Sequence, residues 1–351
     1  MRNARAITLV VLAVFVLCGA RCTLPGSGRG DDSLLVISYN AHNLFDDIDT
    51  GREYPEFDMD SGKWSSAAYR RRLDALHEAV SSLVPEGGAG PDILCLEEIE
   101  SGKVLEDLAE GPFRKSGYRS VAWGGPDESP IRCGILSRLP LLWTRCHSVT
   151  DTWGFGRGRD LLEAAFDRGA GDPLIVFVCH WKSRKEGPEK TEEARRQAGA
   201  LLSGRISEIL DSNPEALIVV CGDFNESPDE FERRGGVYPT AFMPESEFGR
   251  GPEGALYLTG VQKNAGIPER VPLLYSPWFG AEGYSYRFDG EMERLDGFLL
   301  SPGLCDGKGL DFAGFSVADA VFLFDPEGNP MGWNGVSGYS DHLPIALRLS
   351  G

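Results

Sequence analysis

Gly222-Asp223-Phe224-Asn225 follows directly on the apolar run Leu217-Ile218-Val219-Val220-Cys221. The β-branched run reads as a buried strand that the glycine ends. Asp223 and Asn225 are two residues apart, so in extended chain both side chains leave on one face. A carboxylate and a carboxamide held side by side suit the gripping of a water molecule and a phosphate oxygen, although a plain turn favours the same residue types. Asn40, Glu98, His180, Asp296, Asp341 and His342 repeat the placement, each at the edge of an apolar, strand-like run. Strand ends in layered α/β folds gather into one mouth where loops build the site.

The chemistry these residues invite is hydrolysis of a phosphate ester. It needs a cation on the phosphoryl oxygens, a base for water, and an acid or cation for the leaving oxygen. Glu98 and Asp341 offer hard carboxylate oxygens for Mg²⁺, with Mn²⁺ or Ca²⁺ as alternatives. Asp223 and Asn225 orient the attacking water and the phosphate. His342 and His180 donate to developing charge, and Asp296 is placed to orient a histidine as a triad carboxylate does. Which of Asp223 and His342 takes the water proton stays open at this level.

The elements that must position these groups alternate. Strands are expected at Leu34–Ser38, Ile93–Leu96, Cys133–Leu136, Leu174–Cys179, Leu217–Cys221, Leu295–Leu300 and Leu343–Leu349. Tyr69, Leu73, Leu76, Val80, Leu83 and Val84 recur at helical spacing until Pro85 and Gly87 stop the pattern. A second helix carries Ala194, Ala198, Leu201, Leu202, Ile206 and Ile209. From Glu226 to Glu282 the chain is rich in Pro, Gly and charge, and reads as a long insertion facing substrate or forming a lid.

Composition sets the bounds. The chain has 351 residues, 42% of them hydrophobic and 25% charged, which is ample for one large soluble domain. A formal net charge of -18 argues against a general electrostatic grip on nucleic acid, but a nuclease cleft needs only local positive charge and a metal ion. Arg2 and Arg5 precede an apolar run, Ile7 to Leu17, with Gly19 and Ala20 behind it. That is the pattern of an export signal at 1–20, or an anchor if uncleaved, followed by a spacer at 21–32 and the domain at 33–350. The expected location is therefore periplasmic, extracellular or the outer surface, with membrane association confined to the N-terminus and the protein a monomer. Cys95, Cys179 and Cys221 sit in apolar runs as small buried hydrophobes, and no Cys/His cluster has zinc spacing.

Taken together, the blocks resemble the endonuclease/exonuclease/phosphatase superfamily of DNase I-like metal-dependent phosphoesterases, over about Leu34 to Leu349. In order they are Ser38-Tyr39-Asn40 with Asn43-Leu44-Phe45; Pro91-Asp92-Ile93-Leu94-Cys95-Leu96-Glu97-Glu98; His180-Trp181-Lys182-Ser183-Arg184; Gly222-Asp223-Phe224-Asn225; and Arg294-Leu295-Asp296-Gly297-Phe298 with Ser340-Asp341-His342-Leu343-Pro344-Ile345. The resemblance implies an α/β four-layer sandwich of two packed mixed β-sheets flanked by helices. It assigns Glu98 rather than Glu97 to the metal, with Asn40 beside it. Asp223 and Asn225 become the water- and phosphate-positioning pair, Asp341 and His342 the C-terminal pair, and Asp296 the support of that histidine. His180 matches a histidine of the DNase I, sphingomyelinase and inositol phosphatase branches. Tyr284-Ser285-Tyr286-Arg287-Phe288-Asp289-Gly290 and the His180 block look most like bacterial extracellular nucleases.

The expectation is thus an exported, Mg²⁺-dependent phosphodiesterase acting on DNA or RNA. Arg132, Arg159, Lys182, Arg184 and Arg195 are the candidate phosphate contacts. One alternative keeps the chemistry on a phospholipid or small phosphate ester, with Phe231, Tyr257 and Trp278 touching a membrane. Another is a non-catalytic binding protein on the same fold.

Overall fold

The structure is a computed structural model, and it describes residues 33–126, 129–149, 159–169, 171–262 and 273–351. The leader and spacer expected at 1–32 lie outside the described residues. In chain order the elements are β1 (Leu34–Leu44), α1 (Ser66–Ser81), β2 (Ile93–Ile99), α2 (Gly102–Glu110), β3 (Ser120–Gly124), β4 (Arg132–Ser137), β5 (Leu141–His147), β6 (Leu161–Phe166), β7 (Leu174–His180), α3 (Pro188–Ser212) and β8 (Leu217–Asp223). There follow α4 (Glu230–Arg233), β9 (Phe242–Pro244), β10 (Leu256–Thr259), β11 (Leu273–Tyr275), β12 (Tyr286–Phe288), β13 (Glu291–Glu293), β14 (Asp296–Leu300), β15 (Asp311–Val317) and β16 (Ile345–Ser350).

Two sheets carry the architecture. The first has the order β15-β16-β1-β2-β4-β3 and the second β5-β6-β7-β8-β14-β11-β10-β9, while β12 and β13 pair as a separate hairpin. Strand alternation explains the layers. Leu34 and Val36 of β1, with Ile93 and Cys95 of β2, face Val176, Val178, Val219 and Cys221 of the second sheet. Leu35, Ile37, Leu94 and Leu96 point the other way, onto Leu73, Leu76 and Val80 of α1 and Leu105 of α2. On the second sheet Ile175, Phe177, Ile218 and Val220 pack under Ala198, Leu202 and Ile206 of α3. The result is helix, sheet, sheet, helix, the expected four layers. Strands buried on both faces read as continuous apolar runs, which is why the central ones stand out in the sequence.

Three expectations change in detail. α1 ends at Ser81, so Leu83 and Val84 belong to the turn before Pro85. β16 begins at Ile345 and not Leu343, because Pro344 has no N–H to give a ladder. The Glu226–Glu282 stretch supplies α4, β9, β10 and β11, which extend the second sheet beyond β14. Strands β9, β10 and β11 of its described residues form the edge of that sheet. Of the three aromatics expected to meet a membrane, Trp278 and Tyr257 are core residues and Phe231 is partly buried against Met243 and Tyr257.

Candidate active site

β1 and β2 run parallel in the first sheet, and β7 and β8 run parallel in the second. Their carboxyl ends meet at one end of the seam between the sheets. The seam-facing rows are apolar until the last position: Val176, Val178, then His180; Val219, Cys221, then Asp223. In the ladder His180 is registered against Asp223, and Asp223 against Asp296 of the antiparallel β14. The register therefore lines up three of the expected groups on adjacent strands. Gly222 makes this possible. At φ 129 it crosses so close to β7 that a Cβ would lie 2.0 Å from the Cys179 carbonyl oxygen, a contact no side chain tolerates.

Asn40 of the first sheet closes the seam, its Nδ2 donating to Asp223 Oδ2 at 3.1 Å. The Asn225 backbone N–H donates to Asp223 Oδ1 at 2.8 Å and its side-chain Nδ2 to Oδ2 at 3.0 Å. His342 Nδ1 meets Asp296 Oδ2 at 2.7 Å, with Nε2 3.9 Å from Asp223 Oδ2. His180 Nε2 lies 3.4 Å from Glu98 Oε1 and 3.6 Å from Asp223 Oδ2. Asp341 points toward His42, at 3.6 Å.

Glu98 reaches this cluster by breaking the pleat. Alternation sends Glu97 into the seam, where Ser38 Oγ donates to it at 3.0 Å and it is fully buried. Glu98 takes φ 58, accepts the Asn43 N–H at 2.9 Å, and turns toward His180. The β1–β2 and β2–β4 registers both slip at this point, as bulges beside functional sites do. His42, Asn43 and Asn225 also have positive φ. Among the described residues only Asp289 shares that conformation without glycine's freedom outside this cluster, so backbone strain is concentrated where the polar groups converge.

Electrostatics separates the roles. Burial, with Asp296 adding to it and His342 opposing, pushes the Asp223 carboxyl up to about 7. Burial disfavours a charged His342, but Asp296 and Asp223 overcome it and hold the ring's pKa well above the ordinary value. His180 goes the opposite way: burial, then Arg159 and His342, drive it well below. Near neutral pH the site holds one charged and one neutral histidine.

Comparison with known proteins now decides the affiliation. The model of the endonuclease/exonuclease/phosphatase family matches residues 35–237. The chain belongs to this family. Human sphingomyelin phosphodiesterase 3 is 25% identical over 336 residues, covering 81% of this chain and 48% of the human protein, and the mouse protein is equally similar. The chain spans about half the length of the curated relatives it matches. Among solved structures, SeMet TDP2 from Caenorhabditis elegans superposes with a TM-score of 0.52 at 17% identity, over 91% of this chain and 74% of that one. D. rerio TDP2 complexed with single strand DNA product gives 0.52 and 17%, over 92% and 100%. These structures share the fold.

Members of the endonuclease/exonuclease/phosphatase family are phosphoesterases that use divalent metals, typically Mg²⁺, and the residues here fit such an ion. Glu98, Asp223, Asp296 and Asp341 bring four carboxylates together, faced by the charged His342 and by Arg159. That negative excess and its oxygen donors suit a hard cation. Asp223, Asp296 and His342 are the most closely set polar groups, with atoms all within 4.8 Å of one another, but a protonated His342 has no lone pair to give a cation. Glu98 and Asp341 stand outside that set and are the carboxylates that would hold the ion.

The basic residues divide. Arg159 joins the cluster, lying against His180 Nε2 and donating to the Trp181 carbonyl at 2.8 Å. Arg132 lies by the end of β2, donating to the Glu100 carbonyl at 2.5 Å. Lys182 pairs with Glu186 at the surface. Arg184 is held by Glu230 and Glu293 at 3.2 and 3.0 Å. Arg195 must be corrected. It is buried, its guanidinium donating to Glu226, Glu192, Thr191 and the Pro188 carbonyl, so it ties α3 to the strand-β8 loop and does not contact substrate.

One supporting residue went unread. Arg72 occupies an apolar-stripe position of α1 between Tyr69, Leu73 and Leu76, and a charge on such a stripe is the available signal. Its buried guanidinium donates to the carbonyls of Ala41, His42 and Tyr339, and its face lies 5.1 Å from the Trp333 ring. Burial lowers its pKa only to about 10, so it stays charged. Arg72 thereby clamps the end of β1 to the segment carrying Asp341 and His342. Arg72→Met keeps the stem and strands three carbonyls. It should cost about 3 kcal/mol in urea unfolding, the scale of leaving buried acceptors unpaired, and lower turnover with it.

Proposed function

We propose that this chain is a divalent-cation-dependent phosphodiesterase, exported by its N-terminal segment, with DNA or RNA as substrate. The observation that carries the reading is the Asp296–His342–Asp223 relay, buried at the mouth of the seam and faced by Glu98, Asn40 and His180. Asp223, with a pKa near neutrality, takes a proton from the attacking water while Asn225 and Asn40 fix its oxygens. As water oxygen bonds to phosphorus and the bond to the leaving oxygen breaks, charged His342 delivers its Nε2 proton to that oxygen, and Asp296 stabilises the ring throughout. His180 and Arg159 donate to the phosphoryl oxygens. A divalent cation held by Glu98 and Asp341 would neutralise charge on those oxygens.

Nucleic acid ranks first on the blocks that resemble bacterial extracellular nucleases, and because Tyr257 and Trp278, which would have favoured a membrane, are buried and Phe231 is partly buried. The sphingomyelin phosphodiesterases among the relatives support a second reading, a phospholipid substrate. Plasmid DNA, RNA, sphingomyelin vesicles and bis(p-nitrophenyl) phosphate, each with Mg²⁺ or with chelator, form the test. Chelation should lower turnover by about 100-fold or more, and Mg²⁺ should restore it. Turnover indifferent to chelator sinks the proposal, and cleavage of lipid alone reverses the substrate order.

A further inference from the structure

The β12–β13 hairpin stands directly beside the catalytic histidine. Tyr286 makes a bridge to His342 and its ring lies 4.7 Å from the imidazole. Phe288, two residues along the same face, continues outward. Its ring is 6.5 Å from that of Tyr286, with planes within 15° of parallel, and the residue is 69% exposed. A single exposed ring is ordinary. Two nearly parallel rings leading away from a catalytic group are a different matter, and the hairpin presenting them is pinned. Asp289 and Gly290 both have positive φ, as a tight two-residue turn requires. Arg287 donates from the opposite face to the carbonyls of Glu327 and Gly328 at 3.1 and 3.0 Å, and Glu293 accepts from Arg184 at 3.0 Å. The rings are thus held in place without packing into the core, as a preorganised contact surface should be.

We infer that Tyr286 and Phe288 form a stacking subsite for a nucleobase flanking the scissile phosphate, with Phe288 as its specificity-determining residue. A planar ring in contact on both faces needs about 7 Å or more between its neighbours, more than the 6.5 Å centroid spacing here, so a base stacks on the exposed Phe288 ring with Tyr286 behind it. Neutral aromatic faces also bind a base without the positive charge that this acidic chain lacks. An acyl chain has no need of parallel planes. The inference rests on the phosphodiesterase reading above and names the feature of the substrate that is recognised.

Full-length protein carrying Asp223→Asn, which blocks turnover, is titrated in Mg²⁺ with fluorescent hexathymidylate and with an abasic hexamer of equal charge. The base-bearing strand should bind more tightly. Adding Phe288→Ala should weaken hexathymidylate by about tenfold or more and leave the abasic strand within twofold, while Phe288→Trp retains binding. Equal affinity for the two strands, or hexathymidylate binding indifferent to Phe288→Ala, overturns the subsite. So does co-sedimentation with sphingomyelin/phosphatidylcholine vesicles that Phe288→Ala abolishes while strand binding is unchanged. Wild-type turnover of bis(p-nitrophenyl) phosphate reads the parent proposal separately, so failure of one is not mistaken for failure of the other.

Discussion

Asp223→Asn should lower kcat/KM on a phosphodiester by about three orders of magnitude, the upper range for loss of a positioned general base. The carboxylate is held by Asn40 and by the backbone and side chain of Asn225, so it cannot be replaced by a neighbour swinging in. The carboxamide is nearly isosteric but cannot take a proton. The pH profile gives the sharper check. Only ionised Asp223 can act as base, and its pKa is raised by burial to about 7, so wild-type kcat/KM should climb with pH through an acid limb near neutrality. A cation bound nearby favours the ionised form, so the limb should move to lower pH as Mg²⁺ is raised. The variant should lack the limb altogether. A wild-type profile flat from pH 5 to 8 at low Mg²⁺ would count against Asp223 as the base.

Asp296→Asn should cost about 10²- to 10⁴-fold in kcat with KM little altered, the pattern of an interaction used chiefly in the transition state. Its Oδ2 receives His342 Nδ1 at 2.7 Å inside the seam. Against the cost of burial, Asp296 and then Asp223 hold His342 protonated. Removing the first of these charges lowers the histidine's pKa. Because the protonated ring is the active form, the alkaline limb of the kcat profile should shift to lower pH. A drop in kcat without that shift would mark Asp296 as a packing residue only. Deuterium exchange at the β14 amides checks that the strand survives, since the Asp296 N–H donates to Ser285 Oγ and its carbonyl accepts from Trp278 Nε1.

How far the sequence exposed all this depends on the element. His180 and Asp223 were legible because each closes an apolar strand, and Asp296 because it opens one; period-two alternation then fixes the face. Glu98 was not legible by periodicity. The pleat sends Glu97 into the seam, and only the left-handed backbone at Glu98 turns its carboxylate toward His180; the family resemblance pointed to Glu98 where spacing alone points to Glu97. Arg195 misled because a basic residue near a motif looks the same whether it meets solvent or a carboxylate thirty-one positions away, as it does at Glu226. β9, β10 and β11 are three or four residues long, too short for a repeat to show among prolines and glycines. Arg72 was a visible anomaly whose meaning depended on which carbonyls the folded chain brings to it.

The seam itself has a consequence for timing. Asn40 and Glu98 belong to one sheet, His180, Asp223 and Asp296 to the other, so neither sheet alone carries the full set. Competence arrives only when the two sheets dock, a contact between residues as far apart along the chain as Asn40 and Asp223 and therefore slow to form. A partly folded chain carries no assembled centre. The fold thus serves as its own safeguard, since the groups of the site stay apart until folding is complete.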